Sequence, residues 1–459
     1  MTHRFNPTIL REYDIRGIVG DTLTEDDAYA LGRTYAALAR DEGARQIAVG
    51  RDGRTHSGML EAALVRGLNE GGIDVIQVGM GPSPMLYFAT YYLKVDGGVQ
   101  VTGSHNPANY NGFKLLLKGR SVFGQEIQKI GERSALGDWS SGDGTLEEVD
   151  IREAYVDRLL EGHSGKPFRI GWDAGNGAAG PILDMLVERL RGQHHVLFSE
   201  VDGTFPNHHP DPTVEKNLSD LKQLVAREQL DFGIAFDGDG DRIGAVDGNG
   251  RVIWGDQLLA ILAEPVLKEQ AGATIIADVK ASQVLFDRIA ELGGSPLMWK
   301  TGHSLIKSKM KETGAPLAGE MSGHVFFKHR WYGFDDALYA AVRLIEAVSA
   351  SGRSLTELMD AMPKMASTPE LRFKVDEARK FAIIEEVRDR LVADGATVDA
   401  TDGVRVSTSE GWWLLRASNT QDVLVARAEA KDQSGLERLV AQIDDQLAKS
   451  GMQRIEAVH

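Results

Sequence analysis

One arrangement of apolar and polar residues runs through this chain three times, and it limits the fold more than any single motif. An apolar run at 47–52 reads as a strand, and Leu60, Ala63, Leu64 and Leu68 follow at helical spacing. A strand at 73–78, a helix at 85–93 and a strand at 98–102 complete the first unit. The second has strands at 168–173, 195–198 and 232–236, with Ile182, Met185, Leu186 and Leu190 marking one helix and 218–227 another. The third has strands at 274–278, 296–299 and 316–318, with Leu285, Ile289 and Leu292 marking a helix and 304–311 another. Strands alternating with helices pair in parallel, so the pattern predicts three similar α/β domains with parallel or mixed sheets. A chain of 459 residues is too long for one ordinary core.

The remainder reads differently. A strand at 371–375 and a helix at 377–391 precede strands at 404–407, 412–416 and 423–428 and a last helix at 436–447, which predicts a smaller α+β domain. The expected boundaries are 1–150, 151–255, 256–367 and 368–459. The polar, Gly/Ser-rich stretch 138–144 reads as the linker between the first two domains.

Each third strand runs into an unusual polar loop at its carboxyl end, where open α/β sheets bind ligands. After 232–236 comes Asp237-Gly238-Asp239-Gly240-Asp241-Arg242. Alternation puts the three carboxylates on one side of an extended segment, and the glycines let the backbone curl so that they converge. Converging carboxylates repel one another unless a cation joins them. Oxygen ligands suit a hard ion such as Mg²⁺. An EF-hand Ca²⁺ loop fits poorly, because Arg242 stands where its glycine belongs and Gly248 where its closing Glu belongs. The alternative is a solvated Asx/Gly turn.

The loop after 98–102 carries Ser104-His105-Asn106-Pro107. It is either a structural turn with a bystander serine or a serine that carries a phosphoryl group. The second role needs a cation and nearby proton donors, which the aspartates, His105 and Lys114 can supply. The third loop, 319–324, offers Glu320, Ser322 and His324, a set able to hydrogen-bond sugar hydroxyls or to form an ordinary turn. Arg416 with Ser418, Asn419 and Thr420 suits a phosphate grip or a charged hairpin tip.

Composition narrows the partners. The formal charge of −16 argues against a broad nucleic-acid footprint or an anionic membrane surface, so phosphate must be met by local Lys and Arg. There is no cysteine, which excludes disulfides and thiolate zinc sites. No apolar run is long enough for a membrane span, and residues 1–7 lack the core of a secretory signal, so a cytoplasmic address is expected.

Together, Tyr13-Asp14-Ile15-Arg16-Gly17, Ser104-His105-Asn106-Pro107, the aspartate loop, 319–324 and Arg416-Ala417-Ser418-Asn419-Thr420 resemble, in order and interval, the α-D-phosphohexomutase superfamily. The branch most similar is bacterial phosphomannomutase/phosphoglucomutase. The resemblance covers essentially the whole chain and implies four domains around a central cleft. It implies interconversion of hexose 1- and 6-phosphates, of mannose and glucose, through a phosphoserine and a 1,6-bisphosphate. Ser104 would be that phosphoserine, with Asp237, Asp239, Asp241 and an oxygen on Ser104 around Mg²⁺. Arg16, His105 and Lys114 would line the transfer site, the last two as proton-transfer candidates. Tyr13, Arg242, Lys280, His303, Glu320, Ser322 and His324 would bind substrate, and Arg416, Ser418, Asn419 and Thr420 would grip the unreacting phosphate. Glucose 1,6-bisphosphate would act as activator, on a monomeric enzyme whose last domain closes over substrate. Gln421-Asp422 stand where many relatives have Glu-Pro, and Met321 favours the mannose/glucose branch over phosphoglucosamine mutase.

Rival readings remain. Gly175-Asn176-Gly177-Ala178-Ala179-Gly180 matches G-x-G-x-x-G after a strand, with Glu200 downstream, as in NAD(P)-dependent oxidoreductases. Asp173 would oppose a pyrophosphate there, which makes helix-entry packing the preferred reading. A Mg²⁺ phosphatase or a non-catalytic sugar-phosphate sensor would use the same loops.

Overall fold

The computed structural model describes residues 2–419 and 421–452. The three repeated units form, and they share one strand order. In the first, Gln46–Arg51 lies between Asp74–Met80 and Gly97–Val101, both parallel to it, and Tyr110–Leu117 runs antiparallel beyond Gly97–Val101. In the second, Phe168–Asp173 lies between Gly192–Leu197 and Phe232–Phe236, with Ile243–Asp247 antiparallel beyond. In the third, Thr274–Asp278 lies between Ser295–Trp299 and Leu317–Gly319, with Val325–Phe327 antiparallel beyond.

All three sheets are therefore mixed, and the reason is local. The polar loops after the third strands are short, and a parallel return needs a crossover of a dozen residues or more. The chain folds straight back, so each loop becomes the tip of an antiparallel pair at one end of its sheet. The central strands are buried on both faces: every residue of Gly97–Val101 and of Phe232–Phe236 is buried. One apolar cluster joins the units, from Tyr87 and Phe88 of the first through Tyr155 and Trp172 to Leu258, Leu338 and Ile345.

The stretch 138–144 is not a linker. Trp139 Nε1 donates to Thr34 Oγ1 at 2.9 Å, and the amides of Gly142 and Gly144 donate to Glu70 and Asn69 carbonyls at 3.0 and 2.9 Å. The chain then adds an edge strand, Leu146–Glu148, parallel to Asp74–Met80. A Cβ at Gly144 would lie 2.0 Å from the Ile73 carbonyl, so the small residues there serve close backbone packing.

The fourth unit is an antiparallel sheet in the order Ala366–Ser367, Val423–Ala430, Gly411–Ala417, Val404–Ser407, Thr397–Asp399, with Leu371–Lys374 also on Val423–Ala430. Strand alternation divides Gly411–Ala417 between two jobs. Trp413 and Leu415 enter the unit's own core, whereas Trp412 and Leu414 pack against Val279 of the third unit. Among the described residues no helix is long and apolar enough to cross a membrane.

Candidate active site

Ser104 follows the strand Gly97–Val101 and takes φ +48°, a left-handed conformation that costs a non-glycine residue roughly 1–2 kcal/mol. That turn aims Oγ across to the second unit, 3.1 Å from Asp237 Oδ2, with His105 Nδ1 also at 3.1 Å. Gly238 makes the approach possible, since a Cβ there would lie 2.5 Å from the Ser104 carbonyl. Arg16 braces the loop, donating to the Gly103 carbonyl at 2.9 Å and Asn106 Oδ1 at 2.7 Å, and it also pairs with Asp14.

Asp237, Asp239 and Asp241 converge as expected, but by a turn rather than an extended segment, with Gly240 at φ +71°. All three are fully buried, and their oxygens lie within 4.8 Å of one another. Lys114 Nζ donates to Asp239 Oδ2 at 2.6 Å and to Asp241 Oδ2, and Ser83 Oγ donates to Asp239 Oδ2. Asp237 Oδ1 accepts the amides of Asp241 and Arg242, each at 3.1 Å. One oxygen of each carboxylate is left. Asp239 Oδ1 is buried with no hydrogen-bond partner, Asp241 Oδ1 meets only His324 Nε2 at 3.3 Å, and Asp237 Oδ2 meets Ser104 Oγ. Burial, then Asp241 and Asp239, pushes the Asp237 carboxyl well above the usual range, a repulsion that a cation relieves. This hard-oxygen set fits a divalent metal ion.

The third loop joins the second through an antiparallel bridge between Arg242 and His324, whose side chains approach to 3.4 Å. Glu320 is anchored by the Gly302 amide at 2.6 Å and by His324 Nδ1 at 2.9 Å, and Ser322 Oγ lies 3.1 Å from the same nitrogen. Burial lowers His324, but Asp241 outweighs it and lifts the imidazole to about 9. Burial with Arg242 and Arg16 drives His105 well below the ordinary histidine value, and burial with Lys307 does the same to His303. Burial opposes charge on Lys114 too, yet Asp239 and Asp241 hold it protonated. The site therefore combines two imidazoles held neutral, His105 and His303, with two groups held protonated, His324 and Lys114.

Tyr13 ties three units together. Its hydroxyl donates to the Thr301 carbonyl at 2.9 Å and accepts from Asn419 Nδ2 at 2.7 Å, while its ring meets His303 edge-on at 5.8 Å. Two expected cations hold acidic partners of their own: Arg416 Nε donates to Asp402 at 2.9 Å, and Lys280 Nζ lies 3.2 Å from Glu370 and 3.8 Å from Asp278. Ser418 Oγ accepts the Gln421 amide at 3.2 Å, and Gln421 Oε1 accepts from Arg372 at 2.8 Å. Thr420 lies outside the described residues.

Four domain models of one family match the chain in order. They are phosphoglucomutase/phosphomannomutase alpha/beta/alpha domain I at 7–139, domain II at 153–250, domain III at 254–365 and the C-terminal domain at 370–446. The chain belongs to the phosphoglucomutase/phosphomannomutase family. It is 48% identical over 442 residues to the phosphomannomutase/phosphoglucomutase of Pseudomonas aeruginosa, covering 96% of this chain and 95% of that one. It is 46% identical over 437 residues to a phosphoglucomutase of Neisseria gonorrhoeae, covering 94% and 95%. The crystal structure of a family member from Burkholderia thailandensis matches at a TM-score of 0.93 and 42% identity, over 97% of this chain and 98% of that one. The superfamily resemblance read from the loops holds, and with it the isomerase class and the fold of three α/β domains and a C-terminal domain. Members use a metal ion, and the aspartate cluster can bind one.

Sequence reasoning passed over several residues of this phosphoglucomutase/phosphomannomutase site. Ser83 approaches from the helix Ser83–Tyr92, and nothing in its own stretch announces a link to Asp239. Asp335 is fully buried 3.0 Å from Lys307 and clusters with Asp241 and His324. A signal for others was present, because each unit's first strand ends on or beside an aspartate. Asp52 accepts from Thr102 Oγ1 and the Gly103 amide at 2.9 Å, and Asp278 accepts the Met321 amide at 3.3 Å, so each props its unit's loop. Asp173 props the Gly175 turn at 2.9 Å. The amides of 175–178 are all taken by protein acceptors, and a Cβ at Gly177 would lie 2.8 Å from the Gly238 carbonyl. These glycines pack against the metal loop and have no free donors for a pyrophosphate.

Proposed function

We propose that this enzyme interconverts the 1- and 6-phosphates of mannose and glucose through a phosphorylated Ser104 and a hexose 1,6-bisphosphate. The observation that carries the reading is the meeting of Ser104 Oγ and Asp237 Oδ2 at 3.1 Å, across two units, beside three buried carboxylates. The choice of sugars rests on the names of the Pseudomonas and Neisseria relatives and on Met321 in the third loop.

A phosphoryl group leaves Ser104 as the P–O bond to Oγ breaks and one to the sugar hydroxyl forms. The hydroxyl proton needs an acceptor, and His105, kept neutral beside Oγ, is in the state to accept it. Lys114, kept protonated, is in the state to give Oγ a proton as it leaves. On return Lys114 takes that proton back from Oγ while His105 gives its own to the departing sugar oxygen, so both residues end as they began. Mg²⁺ held by Asp237, Asp239 and Asp241 would neutralise charge on the transferring group. Arg16 and Arg242 add fixed positive charge on either side. Glu320, Ser322, His303 and His324 would read sugar hydroxyls, with Tyr13 and Lys280 at the margin. Arg416, Ser418, Asn419 and Thr420 would hold the distal phosphate once Arg416 exchanges Asp402 for it. The bisphosphate then turns end over end, and its other phosphate returns to Ser104. Glucose 1,6-bisphosphate would prime an unphosphorylated serine. We further place the first two domains at 1–150 and 151–255 and take the enzyme as a cytoplasmic monomer. The last boundary moves from 367/368 to 365/366, because Ala366–Ser367 pairs with Val423–Ala430 in the fourth sheet.

The test is an assay with Mg²⁺ and a trace of glucose 1,6-bisphosphate on mannose, glucose and glucosamine 1-phosphates, beside Ser104→Ala. The expected result is 6-phosphate from mannose and glucose, with turnover in the variant lower by about 10⁴-fold or more. Turnover of glucosamine 1-phosphate alone would move the enzyme to the neighbouring branch. Inorganic phosphate without isomerisation would make it a phosphatase.

A further inference from the structure

The left-handed turn at Ser104 is not one its own backbone favours, so something outside the turn must hold it. The contacts of Oγ cannot do so steadily under the proposed cycle, because that atom gains and loses a phosphoryl group in every turnover. Arg54, 3% exposed, holds the loop by its main chain instead. Its Nη2 donates to the carbonyls of Ser104 and Asn106 at 2.7 and 2.6 Å, and its Nη1 donates to those of Pro107 and Tyr110 at 2.6 and 3.0 Å. All four acceptors are main-chain carbonyls and none is Oγ, so adding or removing a phosphoryl group on Oγ breaks none of these bonds.

The guanidinium is boxed on its remaining sides. Asp52 Oδ2 lies 3.3 Å from Nε, and Gly103 leaves the space, since a Cβ there would lie 2.3 Å from Nε. The Phe205 ring of the second unit sits 5.1 Å from the guanidinium carbon, a cation–π distance. The same segment presses on the Arg54 backbone: a Cβ at Gly203 would lie 2.6 Å from Arg54 Cα, and a Cβ at Gly53 would lie 2.0 Å from Val201 Cγ1. The unit that carries the aspartates thus also clamps the arginine that holds the serine.

We infer that Arg54, capped by Phe205, is a positioning residue that keeps Ser104 aimed at the aspartate loop in both its phosphorylated and its free state. This inference rests on the mutase reading above. A lysine at 54 cannot fork to four carbonyls from one ammonium. Arg54→Lys is expected to lower kcat for glucose 1-phosphate by about 10²-fold. KM should stay within about twofold of the parent's, because the groups that bind substrate are untouched. Arg54→Ala should regain activity in millimolar guanidinium at constant ionic strength but not in ammonium. Phe205→Leu should give a smaller loss of kcat with the same split, and it carries the test if the Arg54 variants do not fold. An active parent with Arg54→Lys or Phe205→Leu equally active overturns the inference alone. So does a loss that tracks lower Tm and is not rescued by guanidinium. A parent that turns over no sugar phosphate overturns the mutase reading, and this inference with it.

Discussion

Lys114 shows how one side chain can matter twice. Its ammonium bridges Asp239 and Asp241 in a fully buried setting, so it neutralises carboxylates whose other oxygens face the cation site. Removing it leaves buried charge uncompensated, and breaking such a pair costs about 3–5 kcal/mol. Lys114→Met should therefore lower Tm sharply in chelator, and added Mg²⁺ should raise the variant's Tm more than the parent's. Equal Mg²⁺ shifts in thermal denaturation would count against a shared site. Asp239→Asn should weaken Mg²⁺ binding by calorimetry, because it removes one anionic ligand beside the oxygen that lacks a partner.

At the scale of the element, the loops work because each is the short, braced tip of an antiparallel pair. In the first and third units an aspartate on or beside the neighbouring strand braces the loop directly. In the second the brace is the Asp173-propped turn, whose Ala178 amide donates to the Gly238 carbonyl at 3.0 Å. The glycines of 175–180 belong to this bracing. Gly177→Ala would set a methyl 2.8 Å from the Gly238 carbonyl, which is backbone and cannot swing aside. A loss of about 1–3 kcal/mol of stability is expected, with weaker Mg²⁺ binding because the displaced carbonyl lies between Asp237 and Asp239. A variant with the parent's Tm and Mg²⁺ affinity would show that the contact is slack. The same crowding leads to the expectation that the parent binds no NAD(P) in a fluorescence titration.

For the whole molecule, the fourth unit docks through a mostly polar seam. Arg405 donates to the carbonyls of Val279 and Ala281 at 2.7 and 2.9 Å, Arg427 donates to that of Lys280, and Glu370 meets Lys280 at 3.2 Å. Such a seam with a small apolar patch suits a unit that moves. Substrate phosphate on Arg416 should draw it inward, seen as a smaller radius of gyration in solution scattering with glucose 1-phosphate. An unchanged radius would refute closure. Lys280 lowers the Glu370 carboxyl to about 2. A folded pKa below the unfolded value near 4.3 stabilises above about pH 4, and that contribution is lost as pH falls towards 2. Glu370→Gln should accordingly lose less stability than the parent between pH 5 and pH 2, as read by chemical denaturation.

How far the sequence reaches follows from the range of each force. Strand and helix periodicity is local, so the repeated units, the antiparallel last unit and their polar loops were legible, down to strands such as Phe232–Phe236 and Val404–Ser407. The loop motifs carried the family. What the sequence could not determine is which loops meet. Ser83 on Asp239, Tyr13 on Asn419 and Arg54 under Phe205 join residues far apart in the chain. The stretch 138–144 misled for a related reason, since small residues permit flexibility and close packing alike, and only a neighbouring backbone decides between them. Sequence by itself determined the three repeated strand–helix units, the last unit's strands, their order and the chemistry each loop can offer. It did not determine the antiparallel strand that follows each loop, or helices such as Glu25–Asp41 and Ala337–Ser351. Tertiary structure alone decided the site, because burial removes the competing water and turns separate polar loops into one cluster of interacting charges.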